Sequence, residues 1–575
     1  MAIVLLDPTE SIISLMTTIE AFGLLAGFKI NKGKTKVIAK NCTETAIRNI
    51  EELSKFKCGE SLADRIRNND MIKGLRVKGE VFKLQAFADD LIFIVEEPEY
   101  SLAYLIEDIQ EFGSDSKKRK KENLHEQKNL VHLSFAAARL AKRYGAVMSF
   151  QAGWHTLVIL NGFKAVKEAL TEKKDEFADR PYIPLLSLAG YSRNCEGILM
   201  ARKSNGWKEQ RRFCVSTLKV IGMRKKTLEK RISEEAKKLC SEFKSQEGAA
   251  FDPETLLNNA IGKIICTLTF GDHFDYNDVT FLKLIHFTKE IMKIITASLP
   301  QIMGSGTWLS YIPGPHQKIK EIYNDISAIL SEIVTKHKET RDPTYARDLI
   351  DTFLEEMEKA KGNPKSSFNE HNLIKIILEM FVAGLGTTTS TKLWGLLKMV
   401  LHPEVQKQVH KEIEEVLGKD NPPMMEDQPN LPYTNAVIHE IQRCADIVPI
   451  AFPYKTHQEV QIDKFVIPKE TIVFNHLSSV LNDETMWEKP HQFYPEHFLD
   501  ANGQFVKREA FLPFSAGRHA CPGEPLAKME LFIFFTSLLQ CFTFSVPENH
   551  PRPSEDRLFA LTVTPTPFQI CAIPR

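Results

Sequence analysis

The chain has 575 residues, of which 43% are hydrophobic, 26% charged and 9% aromatic. This composition is typical of folded globular domains and excludes a disordered, collagenous or disulfide-framework protein. Lys+Arg and Asp+Glu number 74 each, so net charge does not indicate a nucleic-acid or anionic-membrane partner. The 10 cysteines include no Cys-x-x-Cys pair, which favours a reducing compartment with free thiols.

Two related segments lie near the start of the chain. Residues 1–23 align with residues 91–113, and each has a strand pattern, an acidic turn with a proline and an amphipathic helix pattern. Two copies this far apart do not form a solenoid, so we interpret residues 1–113 as duplicated fragments. Residues 114–128 are polar and contain the basic run 117–121, which predicts a solvated linker better than a nuclear-targeting signal.

From residue 129 onward, the sequence predicts a mainly helical fold with small β-sheets. Helical patterns of roughly 10 to 25 residues alternate with strand patterns at residues 146–160, 460–474 and 559–572. No uncharged apolar run reaches the about 18 residues of a membrane span. The nearest run, residues 531–546, contains polar side chains, and we interpret it as part of a buried helix. The N-terminus lacks the features of a secretory signal.

A cysteine and two glycines lie in the segment Phe-Ser-Ala-Gly-Arg-His-Ala-Cys-Pro-Gly that ends at Gly523. Gly517 and Gly523 allow a tight loop whose backbone approaches a bulky or flat group closely. A strongly apolar helix is predicted from residue 524 to 541, so the Cys521 sulfur is expected near a helix N-terminus, which favours a thiolate. Such a thiolate is a nucleophile or a metal ligand; the structural alternative is a buried cysteine in a turn.

The spacing of Phe, Gly, a basic residue, Cys and Gly in this loop resembles the heme-binding loop of the cytochrome P-450 superfamily. The resemblance implies the mainly helical fold of that family and heme b as the cofactor. It makes Cys521 the axial thiolate ligand of the heme iron. It also assigns cofactor contacts to other residues of the loop, with the two basic ones near the heme propionates: Phe514, Gly517, Arg518, His519 and Gly523.

Two further motifs occur in the order of the same family. Glu440 and Arg443 are three residues apart on a predicted helix, hence on one face, where an exposed pair would be worth only a few tenths of a kcal/mol. In the family this pair is buried and completed by a third residue, here His497, where many relatives have Arg. Trp207 and Arg211 resemble the family's Trp-x-x-x-Arg pair, which contacts a heme propionate.

The segment Ala-Gly-Leu-Gly-Thr-Thr-Thr that begins at Ala383 weakens helix propensity inside a predicted helix. An interface of small residues is the structural alternative. In the P-450 family this segment is the oxygen-binding groove, with Ala383 and Gly384 beside the cofactor. Thr387 matches the family's proton-delivering alcohol, and Gly386 stands where the family usually has an acid. We therefore expect Thr387, Thr388 and water to deliver protons.

The resemblance covers residues 129–575 and is closest to the microsomal enzymes of family 2, subfamily D. Those relatives favour lipophilic substrates with a basic nitrogen, which a carboxylate holds. The resemblance places substrate contacts at Glu379, the candidate carboxylate, and at Leu199 and Phe452. Tyr454 replaces the His or Arg that relatives bring to a propionate.

These patterns predict a monooxygenase that inserts one atom of O₂ into xenobiotics, fatty acids, steroids or basic amines. No flavin or nicotinamide fingerprint is present, so electrons are expected from NADPH through a separate cytochrome P-450 reductase, with cytochrome b5 as a further partner. Candidate reductase contacts are Lys208, Arg212 and Lys528. The resemblance implies the cytoplasmic face of the endoplasmic reticulum membrane, although no N-terminal anchor is visible. An inactive oxygenase is the alternative.

Residues 60–113 contain Asp89 and Asp90 in a predicted strand–turn–strand, a design suited to two-metal phosphate chemistry. This segment resembles the palm of reverse transcriptases from non-LTR retrotransposons, and residues 27–35 resemble the segment that follows the palm aspartates. The upstream palm motifs are missing. We therefore expect a partial α/β palm-like fragment, a nonfunctional remnant of an RNA-directed DNA polymerase that binds no nucleic acid.

Overall fold

The computed structural model describes four strands near the start of the chain and most residues from 137 onward. The gaps after residue 137 are residues 153–154, 193–195, 224, 272–275, 305–316 and 549. Two compact units are formed: the first is Met1–Glu126, Phe150–Thr156 and Pro300–Gly306, and the second is Gln127–Ser149, Leu157–Leu299 and Thr307–Arg575. The predicted linker at 114–128 and the predicted helices within 1–23 and 91–113 lie outside the described residues.

The strands of the first unit form one sheet. They are β1 (Ala2–Leu5), β2 (Lys36–Ala39), β3 (Lys83–Phe87) and β4 (Asp90–Ile94), in the order β2-β1-β4-β3. β1 runs parallel to both β2 and β4, and β3 pairs antiparallel with β4, Phe87 opposite Asp90. Strands β3 and β4 therefore lie on either side of residues 88–89. This is the segment for which the sequence predicts a strand–turn–strand.

The second unit is mainly helical, as the sequence predicts. Its helices are α1 (Gly162–Lys167), α2 (Asn205–Met223), α3 (Lys225–Lys244), α4 (Glu254–Phe270), α5 (Val279–Gly304), α6 (Gln317–Thr340), α7 (Leu349–Lys359), α8 (Glu370–Leu401), α9 (Pro403–Val416), α10 (Pro432–Ala445), α11 (Leu477–Leu481) and α12 (Glu524–Cys541).

Helix α8 forms the centre of this unit. It begins where the Asn369 side chain accepts a hydrogen bond from the Asn372 N–H at 2.9 Å, an N-cap that satisfies one free donor. Buried residues occur on all sides of the helix, which is typical of a core helix. Within the described residues it is the one helix long and apolar enough to cross a membrane, and 67% of its most apolar window is buried in the fold. We therefore interpret α8 as a core helix.

Helix α12 has the bounds that the sequence predicts, 524–541. Pro525 lies in its first turn, where a missing N–H is harmless. Phe532, Ile533 and Phe534 are fully buried, and each such side chain stabilises the fold by about 1.5–3 kcal/mol. The apolar run 531–546 is only partly helical, because a strand starts at Phe542.

Small sheets are attached to the helices. Residues 146–160 form two strands instead of one, β5 (Val147–Ala152) and β6 (His155–Leu160), in the sheet order β5-β6-β10-β7. The other strands are β7 (Tyr454–Lys455), β8 (Val460–Ile462), β9 (Phe465–Ile467), β10 (Ile472–Asn475), β11 (Phe542–Ser545), β12 (Arg557–Phe559), β13 (Val563–Pro565) and β14 (Cys571–Pro574). β6 pairs parallel with β10, and β11 pairs antiparallel with β14.

Candidate functional site

The loop before α12 holds Cys521 in a fixed position. The Cys521 N–H donates to the Phe514 carbonyl at 2.9 Å, which closes the loop. Gly517 has φ +75°, and a Cβ there would lie 1.9 Å from the Leu170 carbonyl oxygen. Both facts require glycine at this position. The Cys521 residue is exposed, although neighbouring atoms of the protein surround its thiol.

The Cys521 thiol is not ionised by the protein alone. Burial raises its pKa, whereas the backbone N–H groups of Gly523 and Glu524 and the Arg211 guanidinium lower it, and the pKa stays above its usual value. A bound metal ion deprotonates a coordinating thiol outright. A cysteine whose thiol needs a cation to ionise, next to backbone N–H donors and Arg211, fits a ligand of iron.

Aromatic and cationic side chains lie beside this loop. The His519 ring lies 4.7 Å from the Trp207 ring, and its Nε2 is 3.0 Å from the Ala178 carbonyl. Burial and nearby Arg180 lower the pKa of His519 to about 2, so the ring is neutral and donates from Nε2. Arg211 donates to the Ala520 carbonyl at 2.5 Å. These contacts bring Trp207, Arg211 and His519 together around the cysteine loop, and their contacts with a heme stay a prediction.

The sequence predicts Arg518 near a heme propionate, and the structure gives this residue an acidic partner in the protein. Its guanidinium forms two hydrogen bonds with the Asp175 carboxylate, at 2.8 and 3.1 Å, and its side chain is 51% exposed. The Arg518 side chain is therefore about half exposed and paired with Asp175. The exposed carboxylate compensates its charge, and no propionate contact is needed to explain it.

Arg180 is a site residue that sequence reasoning missed. It is buried, and its Nη1 donates to the carbonyls of Phe452 and Pro453 at 2.7 and 2.9 Å. Its guanidinium lies 4.5 Å from the centre of the Tyr454 ring. Within the described residues its Nε has no hydrogen-bond partner. A buried, incompletely paired guanidinium suits an anionic group such as a propionate. Nothing in the sequence around residue 180 pointed to it.

The predicted triad of Glu440, Arg443 and His497 is brought together in the core. Arg443 Nε and Nη2 donate to the two Glu440 oxygens at 2.8 and 2.7 Å, and both residues are 0% exposed. His497 Nε2 accepts from the Lys489 N–H at 3.1 Å, so its Nδ1 carries the proton toward Glu440 at 3.3 Å. Burial raises the pKa of Glu440, but Arg443 and His497 hold it below its usual value.

Residues 383–389, whose sequence disfavours a helix, are helical within α8. The Thr387 hydroxyl donates to the Ala383 carbonyl, one turn earlier, at 2.6 Å. Ala383 is exposed and Thr387 half-buried, so the two share an accessible face. A Cβ on Gly384 would lie 2.9 Å from the terminal methyl group of Ile265, so a larger residue here would require the Ile265 side chain to shift. Thr388 is only 7% exposed and so less accessible than Thr387, and its catalytic role stays a prediction.

Glu379 is tightly held by hydrogen-bond donors. Its oxygens accept from the Tyr191 hydroxyl at 2.7 Å and from the N–H groups of Ile198 and Leu199 at 2.7 and 3.2 Å. Burial raises the pKa of the carboxyl, which these donors partly offset. The Trp207 indole donates to the Ile198 carbonyl at 3.2 Å. Glu379 therefore fixes the segment around Leu199, and the carboxylate is not an open side chain in a groove.

His337 joins three helix ends and lies apart from the cysteine loop in sequence. Its Nδ1 is 2.9 Å from the Ile333 carbonyl, and its Nε2 is 3.1 Å from Asp348 Oδ2 and 3.3 Å from the Phe270 carbonyl. All three neighbours only accept, so both nitrogens must carry protons. Burial opposes the charge, but the Asp348 carboxylate and the Ile333 carbonyl raise the pKa of His337.

The fold and this site define a heme-thiolate enzyme, and the sequence comparison agrees. Residues 123–572 match the cytochrome P450 family, so the chain belongs to that family. The match begins inside the segment predicted as a linker. Members of this family are monooxygenases that use heme, O₂ and electrons from NADPH supplied by a reductase, and they oxidise lipophilic compounds including xenobiotics. These statements hold for this chain.

Individual relatives come from subfamily 2D. Cytochrome P450 2D6 of Pan paniscus is 48% identical over 453 residues, which cover 78% of this chain and 91% of that protein. Cytochrome P450 2D14 of Bos taurus has the same identity and coverage. Cytochrome P450 2D3 of Rattus norvegicus is 48% identical over 450 residues, 78% of this chain and 90% of that protein. The similarity supports the endoplasmic reticulum membrane as the location.

Proposed function

We propose that residues 129–575 form a heme-thiolate monooxygenase domain in which Cys521 is the axial ligand of heme b. The observation that carries the proposal is the exposed Cys521 residue, whose sulfur lies beside the N–H groups of Gly523 and Glu524 and near Arg211. Arg180 and Arg211 are the candidate partners of the two propionates. The contacts of Arg518 with Asp175 favour Arg180 over Arg518 for that role.

Different side chains of the protein are proposed to hold the cofactor and to deliver protons. When bound, the heme would supply the O₂ chemistry, with Cys521 as the residue that would hold its iron. The donors behind Cys521 stabilise negative charge on its sulfur. The Thr387 hydroxyl, bonded to the Ala383 carbonyl, keeps an oxygen with an exchangeable proton at the accessible face of α8. Because Gly386 supplies no acid, protons must pass through Thr387 and water.

Substrate contacts are proposed around the segment that Glu379 fixes. Leu199 and Phe452 contribute apolar side chains, which suits lipophilic compounds. Glu379 positions this segment through the Ile198 and Leu199 N–H groups. A basic nitrogen would have to share the carboxylate with the Tyr191 hydroxyl, so neutral compounds are proposed as substrates alongside amines.

Electron donors are proposed to meet exposed cations near the start of α2 and α12. Lys208 and Arg212 are exposed on α2, and Lys528 pairs with Glu524 at 2.6 Å on α12. An acidic surface of the reductase would complement these charges. Cytochrome b5 is a second proposed donor to the same area. The enzyme is proposed to face the cytoplasm from the endoplasmic reticulum membrane.

The test of the proposal is the absorption spectrum of the reduced, CO-bound protein. The wild type should show a thiolate-type Soret band, which Cys521→Ala should abolish. Cys571→Ala, at a half-buried cysteine in β14, is the matched control and should keep the band. A band that survives in Cys521→Ala would refute the assignment. Heme content per chain separates an inactive oxygenase, which binds heme without turnover, from an active one.

We also propose that residues 1–113 are a reverse-transcriptase palm fragment without activity. The adjacent aspartates Asp89 and Asp90, with β3 and β4 beside them, support this origin. Primer extension with Mg²⁺ should give no product for the wild type or for the Asp89→Ala/Asp90→Ala variant. A product that only the wild type makes would show that the polymerase site still functions.

A further inference from the structure

A buried lysine lies next to the carboxylate of Glu379. Lys375 is on α8, one turn before Glu379, and is 1% exposed. Its ammonium lies 4.4 Å from the ring centre of Tyr191 and 4.0 Å from that of Tyr323 on α6, and it donates to the Ala189 carbonyl. Aromatic ring faces attract a cation, and the attraction is stronger away from water. The Lys375 charge is therefore held inside the fold and not at its surface.

One tyrosine joins this lysine to the carboxylate. The Tyr191 ring contacts the ammonium, and its hydroxyl donates to Glu379 Oε1 at 2.7 Å. Two glycines with positive φ make room for the cluster: a Cβ on Gly190 would overlap the Tyr323 ring, and a Cβ on Gly197 would overlap the Glu379 carboxylate. Larger residues at either position would displace these side chains, so the glycines allow the lysine and the acid to share one packed cluster.

The charged groups around Lys375 are two carboxylates. Glu379 lies four residues later on α8, and residues four apart are neighbours on one face of a helix. Glu196 lies outside the helix, and its two oxygens accept from the Ser192 N–H and hydroxyl at 2.7 and 2.6 Å. Helix α6 contributes a tyrosine ring, which carries no charge near neutral pH. The lysine charge is therefore opposed mainly by Glu379.

The lysine charge acts differently on a cationic and on a neutral substrate. An amine bound at the Glu379 carboxylate would lie near a second cation, and like charges repel strongly away from water. A neutral compound of the same shape meets no such repulsion. Burial lowers the pKa of Lys375 to about 7, while Glu379 and Glu196 favour its charged form. The repulsion should therefore be present below pH 7 and weaken as the pH rises above it.

We propose that Lys375 is a specificity-determining residue, which makes the enzyme prefer neutral lipophilic substrates to cationic amines of the same shape. The inference rests on the proposed function, because it takes Glu379 and Leu199 as the border of the substrate site. Lys375 does not touch the substrate and acts through its charge, which the tyrosine rings hold beside the carboxylate. An uncharged hydrogen-bond donor in its place would still satisfy the Ala189 carbonyl and would remove only the discrimination.

The experiment compares two ligands that differ only in charge: a phenoxyalkyl trimethylammonium ion and its neutral isostere, with carbon in place of nitrogen. Equilibrium dialysis at pH 6 measures their dissociation constants for the full-length, heme-loaded ferric protein. Lys375→Gln should bind the ammonium ion about tenfold more tightly than the wild type does, and the isostere equally well. The matched control is Lys398→Gln, at a buried lysine of the same helix that pairs with Glu555 at 2.7 Å, and it should behave like the wild type.

Equal affinity of the wild type and Lys375→Gln for the ammonium ion at pH 6 overturns the proposal, as does an equal gain for the isostere. A second measurement needs no variant that folds: in the wild type, the ratio of the two affinities should shift toward the ammonium ion between pH 6 and pH 8. An unchanged ratio, or a shift as large in Lys375→Gln, would contradict the role of the lysine charge.

The CO-bound spectrum of each sample tests the heme assignment separately. A missing thiolate-type band refutes the proposed function, whereas the binding ratios, which need no turnover, decide on Lys375.

Discussion

Replacing Arg443 by methionine should destabilise the folded domain by about 3–5 kcal/mol, because it leaves the Glu440 carboxylate buried without its main partner. Arg443 is 0% exposed, and burial of its charge is compensated by several acceptors at once. Besides both Glu440 oxygens, the guanidinium donates to three backbone carbonyls at 2.7 to 2.9 Å, those of Leu481, Pro490 and Gln492.

The magnitude follows from these contacts. A hydrogen bond to a charged group contributes about 1.5–3 kcal/mol, and the two bonds to Glu440 alone reach the predicted range. Total stabilities of domains are about 5–15 kcal/mol, so the variant should remain folded only marginally. We expect a low yield of heme-loaded protein and a lower midpoint of urea unfolding, followed by Soret absorbance and far-UV circular dichroism.

The double variant Glu440→Leu/Arg443→Met is the control for this reasoning. With both charges removed, no unpaired charge is buried, and the destabilisation should be smaller than the sum of the two single changes. Additive effects, or an Arg443→Met variant within about 1 kcal/mol of the wild type, would show that the buried pair does not carry the stability assigned to it.

Three further variants test the site. Gly517→Ala should lose heme binding, because its Cβ would clash with a carbonyl; Gly418→Ala, which also has positive φ but open space, should keep it. His337→Gln should lower the free energy of unfolding at low pH. Because the pKa of His337 is raised in the folded state, its stabilisation is complete below pH about 6.5 and is lost as the pH rises through the pKa of the folded state. The urea midpoints of the variant and the wild type should therefore converge at high pH. Arg180→Leu should speed transfer of heme to apomyoglobin, whereas Arg518→Leu should not.

Local sequence signals predicted the helices better than the sheets. Helix α12 was predicted at its observed bounds, because an apolar run begins after Gly523 and Pro marks its first turn. The pairing of Glu440 with Arg443 followed from helical spacing alone. In contrast, residues 146–160 were predicted as one strand and form β5 and β6. The pairing of β6 with β10 joins residues about three hundred positions apart, which no local pattern specifies.

For the site residues too, local motifs could be predicted from the sequence, whereas contacts between distant residues could not. Cys521 and Gly517 belong to one compact motif, so their spacing sufficed to predict the loop. Arg518 was predicted as a site residue and Arg180 was not, because the partners of each are distant in sequence. Arg180 donates to carbonyls near Tyr454, and Arg518 meets Asp175. A motif identifies residue types, whereas the distant partner decides which of two arginines is buried.

Partners that are distant in sequence also change the interpretation of Glu379. From sequence it is an acid one turn before the oxygen-binding groove, which suggests selectivity for amines. The structure adds Lys375, one turn earlier, which is 1% exposed and lies 4.4 and 4.0 Å from the ring centres of Tyr191 and Tyr323. Burial lowers the pKa of Lys375 to about 7, while Glu379 favours its charged form. The charged form of Lys375 offsets the attraction of the carboxylate for a basic substrate, which supports the proposal that Glu379 mainly positions the segment at Leu199.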